Sequence, residues 1–195
     1  MARETLRFLG RFLRNPTKVG AVAPSSRFLA RRMVEGLRMA PGEVLVELGP
    51  GTGALTAAAR AILPGPDCYL GIERDERFVT TLHAKFPELH VHHGLAQDLG
   101  AVLRQRGNPR VRVVLSGLPF ASMSARDQED ITRAIHAALM PGGVFVTFQY
   151  VLFFAFPAAR RFRAQTDELF GGHVRSKAVL RNLPPAFVLS WVKQA

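Results

Sequence analysis

Cysteine is almost missing from this sequence: Cys68 is the single one in 195 residues, so no disulfide can form within the chain. A reducing compartment is the natural setting, and the expected location is cytoplasmic. Acidic residues are scarce as well, with 15 Asp and Glu against 26 Lys and Arg and a formal net charge of +11. A surface so poor in negative charge calls for an anionic partner, either nucleic acid or the anionic face of a membrane. Lysine is rare within the basic set, occurring only as Lys18, Lys85, Lys177 and Lys193. Coding bias can account for the arginine excess, but it leaves the charge in place. Long apolar runs are also lacking. The longest, Gly142 to Phe156, is interrupted by Thr147 and Gln149 and ended by Pro157, short of the ~20 apolar residues a spanning helix needs. At the N-terminus arginines interleave with apolar residues, which is not the pattern of a cleaved signal peptide. Repeats, low-complexity tracts and linkers are absent. His90, His92 and His93 resemble a metal cluster only superficially, because strand neighbours such as His92 and His93 point to opposite faces; no metal site is expected.

The sequence does have enough apolar residues, 48%, to exclude a disordered chain and to give one domain a full core. From Glu43 onward, short apolar strands alternate with helical patterns. Strands are expected at Glu43 to Leu48, Cys68 to Glu73, Leu89 to His93, Val111 to Ser116 and Val144 to Tyr150. Helices are expected from Arg27 to Arg38 (capped by Ser25 or Ser26), through Thr56 to Leu63, and at Glu76 to Phe86, Leu99 to Arg106, Ala125 to Leu139 and Ala158 to Phe170. This alternation predicts a parallel sheet covered by helices on both faces. The end breaks the rhythm: His173 to Arg181 and Ala186 to Lys193 leave no room for a crossover helix and must pair as an antiparallel hairpin. Five parallel strands closed by such a hairpin give the seven-stranded, Rossmann-like class I methyltransferase pattern, whereas NAD-binding domains normally close with a sixth parallel strand.

The turn after the first strand, Glu47-Leu48-Gly49-Pro50-Gly51-Thr52-Gly53, carries the main chemical signal. Its glycines let the backbone bend sharply and bring N–H groups close to a ligand. Gly49, Gly51 and Ala54 also fit a dinucleotide fingerprint. Glu47 argues against that fit, since a carboxylate there suits the ammonium of a methionine moiety and would repel a pyrophosphate. The expected cofactor is S-adenosylmethionine, with S-adenosylhomocysteine as product. Glu73, about 20 residues further on, is placed to accept the ribose hydroxyls, or else is a solvated acid beside Arg74. Asp98, preceded by Gln97, can accept from the adenine amino group, cap the helix that follows, or do both.

The loop Ser116-Gly117-Leu118-Pro119-Phe120 makes a resemblance specific. Together with Asn15-Pro16-Thr17-Lys18-Val19-Gly20-Ala21-Val22-Ala23-Pro24-Ser25-Ser26, the Glu47-to-Thr56 loop, Gly71-Ile72-Glu73, Phe148-Gln149-Tyr150 and Arg181-Asn182-Leu183-Pro184-Pro185, it resembles the bacterial phospholipid N-methyltransferases, which are similar to ribosomal RNA adenine dimethyltransferases. The resemblance implies stepwise methylation of phosphatidylethanolamine toward phosphatidylcholine. It matches the family's loop acid and glycines to Glu47, Gly49 and Gly51, and its ribose acid to Glu73. The adenine methylases are the rival reading. They place Asn-x-Pro-Tyr/Phe after the fourth strand, and Ser116 stands where their Asn grips the base. A catalytically idle membrane-binding module is the third reading.

Residues 1–14, drawn as a helix, put Leu6, Phe8, Leu9, Phe12 and Leu13 opposite Arg3, Arg7, Arg11 and Arg14. This is the pattern of an interfacial helix, to which four arginines can add about 4 kcal/mol at an anionic surface; packing on the chain's own domain is the other reading. Residues 1–38 are thus expected to contact a phospholipid membrane and lie over the site, with 39–195 as the methyltransferase domain. The expected position is peripheral, on the inner face of the cell membrane. Nucleic acid and an obligate protein partner are not expected. An amine with a pKa near ~10 must expose its lone pair, at roughly 4 kcal/mol at pH 7. Ser116 and Tyr150 are the candidates for orienting it, with Ser116 also beside the cofactor; for Tyr150 the other reading is an aromatic of the core. Phe120, Phe148 and Tyr150 can hold a methylated ammonium. Lys18 and Arg181 are candidate phosphate partners, and Val151 to Phe156 is either an apolar rim for acyl chains or a buried helix start.

Overall fold

The computed structural model describes residues 25–194. The helix expected over residues 1–14, the motif from Asn15 to Pro24 and Lys18 lie outside them. Among the described residues, no helix is long and apolar enough to cross a membrane.

Seven strands form one sheet: β1 (Glu43–Leu48), β2 (Tyr69–Glu73), β3 (Val91–His93), β4 (Arg110–Ser116), β5 (Leu139–Tyr150), β6 (Val174–Arg175) and β7 (Ala186–Val192). Their order is β3-β2-β1-β4-β5-β7-β6. The first five strands pair in parallel, and β7 runs antiparallel to both β5 and β6. This is the class I methyltransferase arrangement inferred from the alternation. Three helices cover one face: α1 (Arg27–Val34), α2 (Ala54–Ala59) and α3 (Glu76–Lys85). The other face carries α4 (Leu99–Gln105), α5 (Ala125–Ala138) and α6 (Pro157–Phe170). β1 is buried along its whole length, as expected for a central parallel strand with helices on both sides. Strand order reverses between β1 and β4, and ligands bind in such folds in the crevice outside the carboxyl ends of those strands.

Local chemistry sets the helix ends. Ser26 caps α1, its Oγ accepting from Leu29 N–H at 3.2 Å. Pro157 opens α6 and Gly171, at φ 85°, ends it. Several boundaries differ from the sequence reading. α1 stops at Val34, and α2 passes into a short 3-10 turn, Arg60–Ile62, instead of continuing to Leu63. β5 starts at Leu139 and runs through Pro141-Gly142-Gly143, because β7 reaches that far: Gly142 N–H donates to Lys193 O and Lys193 N–H to Gly143 O. β6 shrinks to two residues, with one further bridge between Val179 and Ala186. Residues Val151–Phe153 form a 3-10 turn in which Phe153 is buried while Val151, Leu152 and the following Phe156 are exposed.

Candidate active site

The carboxyl ends of β1, β2 and β4 meet around the glycine loop. Gly49 N–H donates to Ile72 O, and Gly117 N–H donates to Leu48 O, each at 2.9 Å. Gly49, Gly51 and Gly53 take φ of 69°, 55° and 84°, a region that strains other residues. Two of these positions are also crowded. A Cβ on Gly49 would sit 2.7 Å from Leu118 Cδ2, and one on Gly53 2.7 Å from the Phe86 ring. Gly117, facing the loop from β4, would put a Cβ 2.8 Å from Gly49 O. Gly51 alone of the four faces open space, so the loop is packed from behind and open in front.

Glu73 holds this loop in place. It is buried, its Oε2 accepts from Gly51 N–H at 3.0 Å, and its Oε1 accepts from Asp75 N–H at 2.9 Å. A carboxylate offers about four acceptor positions, so these bonds leave capacity for a pair of hydroxyls. Glu47 is fully buried below the loop. Its Oε2 accepts from the Tyr69 hydroxyl at 2.7 Å, and its Oε1 has no partner among the described residues. Burial pushes the Glu47 carboxyl up to about 7; hydrogen bonds from Tyr69 and Thr56 pull the other way, and the Glu73 charge adds to the rise. A buried oxygen without a partner is costly, and a cationic ligand group is the partner that removes that cost. The open loop, the orphaned Glu47 oxygen and the available Glu73 lone pairs fit S-adenosylmethionine.

Gln97 and Asp98 are exposed near the end of β3. Asp98 does not cap α4 with its side chain; its Oδ2 accepts from Leu95 N–H at 3.3 Å. Gln97 donates to Asp127 Oδ1 at 3.3 Å.

The acceptor-side residues are not all brought together. Ser116 is fully buried, and its Oγ accepts from Leu118 N–H at 3.2 Å, which shapes the loop. Side chains alternate along strands, so Ser116 shares the face of Val114, whereas Tyr150 shares that of Val146 and Phe148. They do not converge on one atom from the same side of the sheet. Tyr150 is half-buried and stands edge-on to Phe148, with centroids 5.5 Å apart. Burial raises its phenol, which stays protonated at neutral pH. Phe120 is buried with its ring stacked on Phe162 at 4.2 Å; it is part of the core and presents no face to an ammonium. Arg181 is exposed and lies over the Phe28 ring at 5.0 Å, as does Arg27. Its neighbour Asn182 accepts from Ser26 N–H at 2.9 Å and donates to Pro184 O, which fastens the start of α1 to the segment before β7.

Two residues with site roles escaped the sequence reading. Tyr69 opens an apolar strand and reads there as core. Gln128 sits on the buried stripe of α5, where a polar residue was the available signal. Its amide donates to Phe120 O and Ala158 O, pinning the loop after β4 to α6.

No family model matches the chain. It is 35% identical over 183 residues, covering 92% of this chain and 91% of the relative, to an ornithine lipid N-methyltransferase from Singulisphaera acidiphila. A ribosomal RNA small subunit methyltransferase A from Burkholderia pseudomallei is 36% identical over 93 residues, but these are 45% of this chain and 33% of that enzyme. Among solved structures, a 16S rRNA N2 G1207 methyltransferase from Thermus thermophilus, in complex with AdoMet and guanosine, superposes with a TM-score of 0.62 at 22% identity. That match covers 91% of this chain and 45% of the other.

Proposed function

Because the chain belongs to the bacterial lipid N-methyltransferases, S-adenosylmethionine-dependent enzymes of the class I fold, we propose that it methylates the head-group amine of a membrane lipid, with phosphatidylethanolamine as acceptor, at the anionic surface of a bilayer. The observation that carries this reading is the 35% identity to a lipid N-methyltransferase over 92% of the chain. The RNA methylase match, by contrast, spans under half of the chain. Ser116 in place of the base-gripping Asn also favours lipid, since one hydroxyl cannot copy the paired hydrogen bonds of an amide. Ornithine lipid is the second acceptor to weigh, because the relative acts on it.

The cofactor supplies an electrophilic methyl group on a sulfonium. In this reading Glu47 Oε1 receives its ammonium, Glu73 its ribose hydroxyls, and Gln97 with Asp98 its adenine edge. The backbone of Gly49, Gly51 and Gly53 approaches it closely, and Ser116 holds the facing loop. Tyr150, protonated at neutral pH, orients the acceptor nitrogen through its hydroxyl and is not the base. The amine loses its proton to water or in the dry site, and the chain's main task is alignment.

Membrane contact is supported by what surrounds the site. Val151 N–H donates to Pro185 O, so the segment after β5 and the segment before β7 share the sheet edge that carries the glycine loop. Val151, Leu152, Phe156, Leu180 and Leu183 are exposed there, with Arg27 and Arg181 nearby. Apolar side chains next to arginines fit an anionic lipid surface. The test is labelled donor with vesicles of phosphatidylethanolamine, vesicles of ornithine lipid, or unmodified ribosomal RNA. Label in phosphatidylethanolamine is the expected result. Label in ornithine lipid alone moves the acceptor to the relative's substrate, and label in RNA alone overturns the lipid reading.

A further inference from the structure

Tyr69 is fully buried, yet its ring does not simply fill the core. Across the β1–β2 ladder Tyr69 pairs with Leu45, while Glu47 pairs with Gly71. To reach Glu47, the ring must lie along its own strand and pass over Gly71. A Cβ at Gly71 would stand 3.0 Å from the Tyr69 hydroxyl and 3.3 Å from its Cε1. Glycine inside a strand weakens it and marks a close approach; here the approaching group is the tyrosine ring. At the end of that path the hydroxyl donates to Glu47 Oε2 at 2.7 Å and lies 3.5 Å from Thr56 Oγ1.

The other Glu47 oxygen, Oε1, is buried without a partner. The titratable groups that act on Glu47 are Tyr69 and Glu73, both on β2; from α2, Thr56 contributes a neutral hydroxyl. Among the described residues, no cation acts on it. The tyrosine is thus the main device favouring the charged form.

We propose that Tyr69, seated over Gly71, is a positioning residue for the cofactor: it occupies one oxygen of Glu47 so that the other stays anionic and free for the cofactor's ammonium group. The inference rests on the cofactor reading of Glu47. Burial pushes that carboxyl up and the tyrosine bond opposes the push. Without the hydroxyl, Glu47 keeps its proton to higher pH and offers the ammonium a neutral group. Cofactor affinity therefore rises with pH as Glu47 ionises, and the loss caused by removing the hydroxyl is confined to lower pH.

The test is calorimetric titration of S-adenosylhomocysteine, which carries the same ammonium group, into wild type, Tyr69→Phe and Gly71→Ala between about pH 6 and pH 9. The ratio of variant to wild-type Kd cancels the ligand's own titration. For a rise of one pKa unit in Glu47, the ratio for Tyr69→Phe is expected to be about ninefold near pH 6 and about fivefold near pH 7, and to fall toward one by about pH 9. Gly71→Ala, whose methyl displaces the ring, should follow the same curve and supplies the result on its own if Tyr69→Phe fails to fold. A ratio of one throughout, or a loss that does not change with pH, overturns the proposal, the latter because lost packing has no titration. If wild type binds no product at any pH, the cofactor reading itself falls. Product binding with a flat ratio refutes the tyrosine alone.

Discussion

Glu47 shows in one side chain how a binding site is kept at the expense of the fold. Its folded carboxyl titrates at about 7 instead of the ordinary 4.5, so the folded protein holds that proton more tightly than the unfolded chain does. The resulting stability is complete below the unfolded value and is lost as pH rises through the folded one. Ligand-free wild type should therefore melt lower at pH 8 than at pH 5, a trend that thermal unfolding of Glu47→Gln should lack. At pH 8 the neutral amide is expected to gain on the order of 2 kcal/mol, roughly 4–8 °C in Tm for a chain of this size. The same substitution should weaken S-adenosylhomocysteine binding by at least ~100-fold, read by calorimetry, because the amide offers the ammonium no charge. An acid placed just ahead of a glycine turn made Glu47 legible in the sequence. Tyr69 was not legible, because whether a strand tyrosine points into core or lies along its strand depends on Gly71 and the register of β1 against β2.

At the level of elements, two loops are locked by side chains that a pattern of apolar and polar positions does not disclose. The loop after β4 lies against the glycine loop through Gly117, where a methyl would meet Gly49 O at 2.8 Å. Gly117→Ala should push the two loops apart and lower cofactor affinity about tenfold or more, with little change in Tm, when both are measured on the same preparation. The segment before β7 is tied to α1 by Asn182, which is buried and bonded to Ser26 and Pro184. Asn182→Ala should cost about 1–2 kcal/mol in denaturant unfolding, since it strands the part-buried N–H of Ser26. Element order followed from alternating apolar runs and turn residues, and so did the antiparallel closure. The ends did not: Pro141-Gly142-Gly143 reads as a turn, yet it is held in β5 by hydrogen bonds to Lys193, a partner 50 residues away in sequence. For the same reason β6 could not be sized, because only Val174 and Arg175 pair with β7 in a continuous ladder, while Val179 adds an isolated bridge to Ala186.

For the whole molecule, charge and edge chemistry point the same way. A net +11 makes vesicle binding dependent on screening, since the Debye length falls from about 10 Å at 0.1 M salt to about 3 Å at 1 M. Sedimentation with anionic vesicles should thus weaken steeply with salt, and neutral vesicles should bind far less at any ionic strength. Removing residues 1–14 should abolish sedimentation while leaving S-adenosylhomocysteine affinity intact; unchanged sedimentation would move the membrane contact to the apolar edge around Leu152 and Leu183. Fold and cofactor were legible because both rest on backbone geometry that glycines and apolar runs announce. Acceptor contacts were less so. Ser116 and Tyr150 end neighbouring strands in the sheet, but strand parity sends them to opposite sides, and Phe120 is drawn into the core by Phe162.

Trp191, the chain's single tryptophan, is fully buried in β7, its indole N–H donating to Asp167 at 2.7 Å. It packs on the α6 face of the sheet, three strands from β1 and on the side opposite Glu47. Its emission is therefore expected to report the loss of native packing and to change little when the nucleoside pocket fills, which a titration with S-adenosylhomocysteine checks. A melt followed by that emission gives global stability alone, so a ligand-dependent rise in it equals RT ln(1 + [L]/Kd) and yields Kd at a known ligand concentration, without a separate optical contribution to subtract.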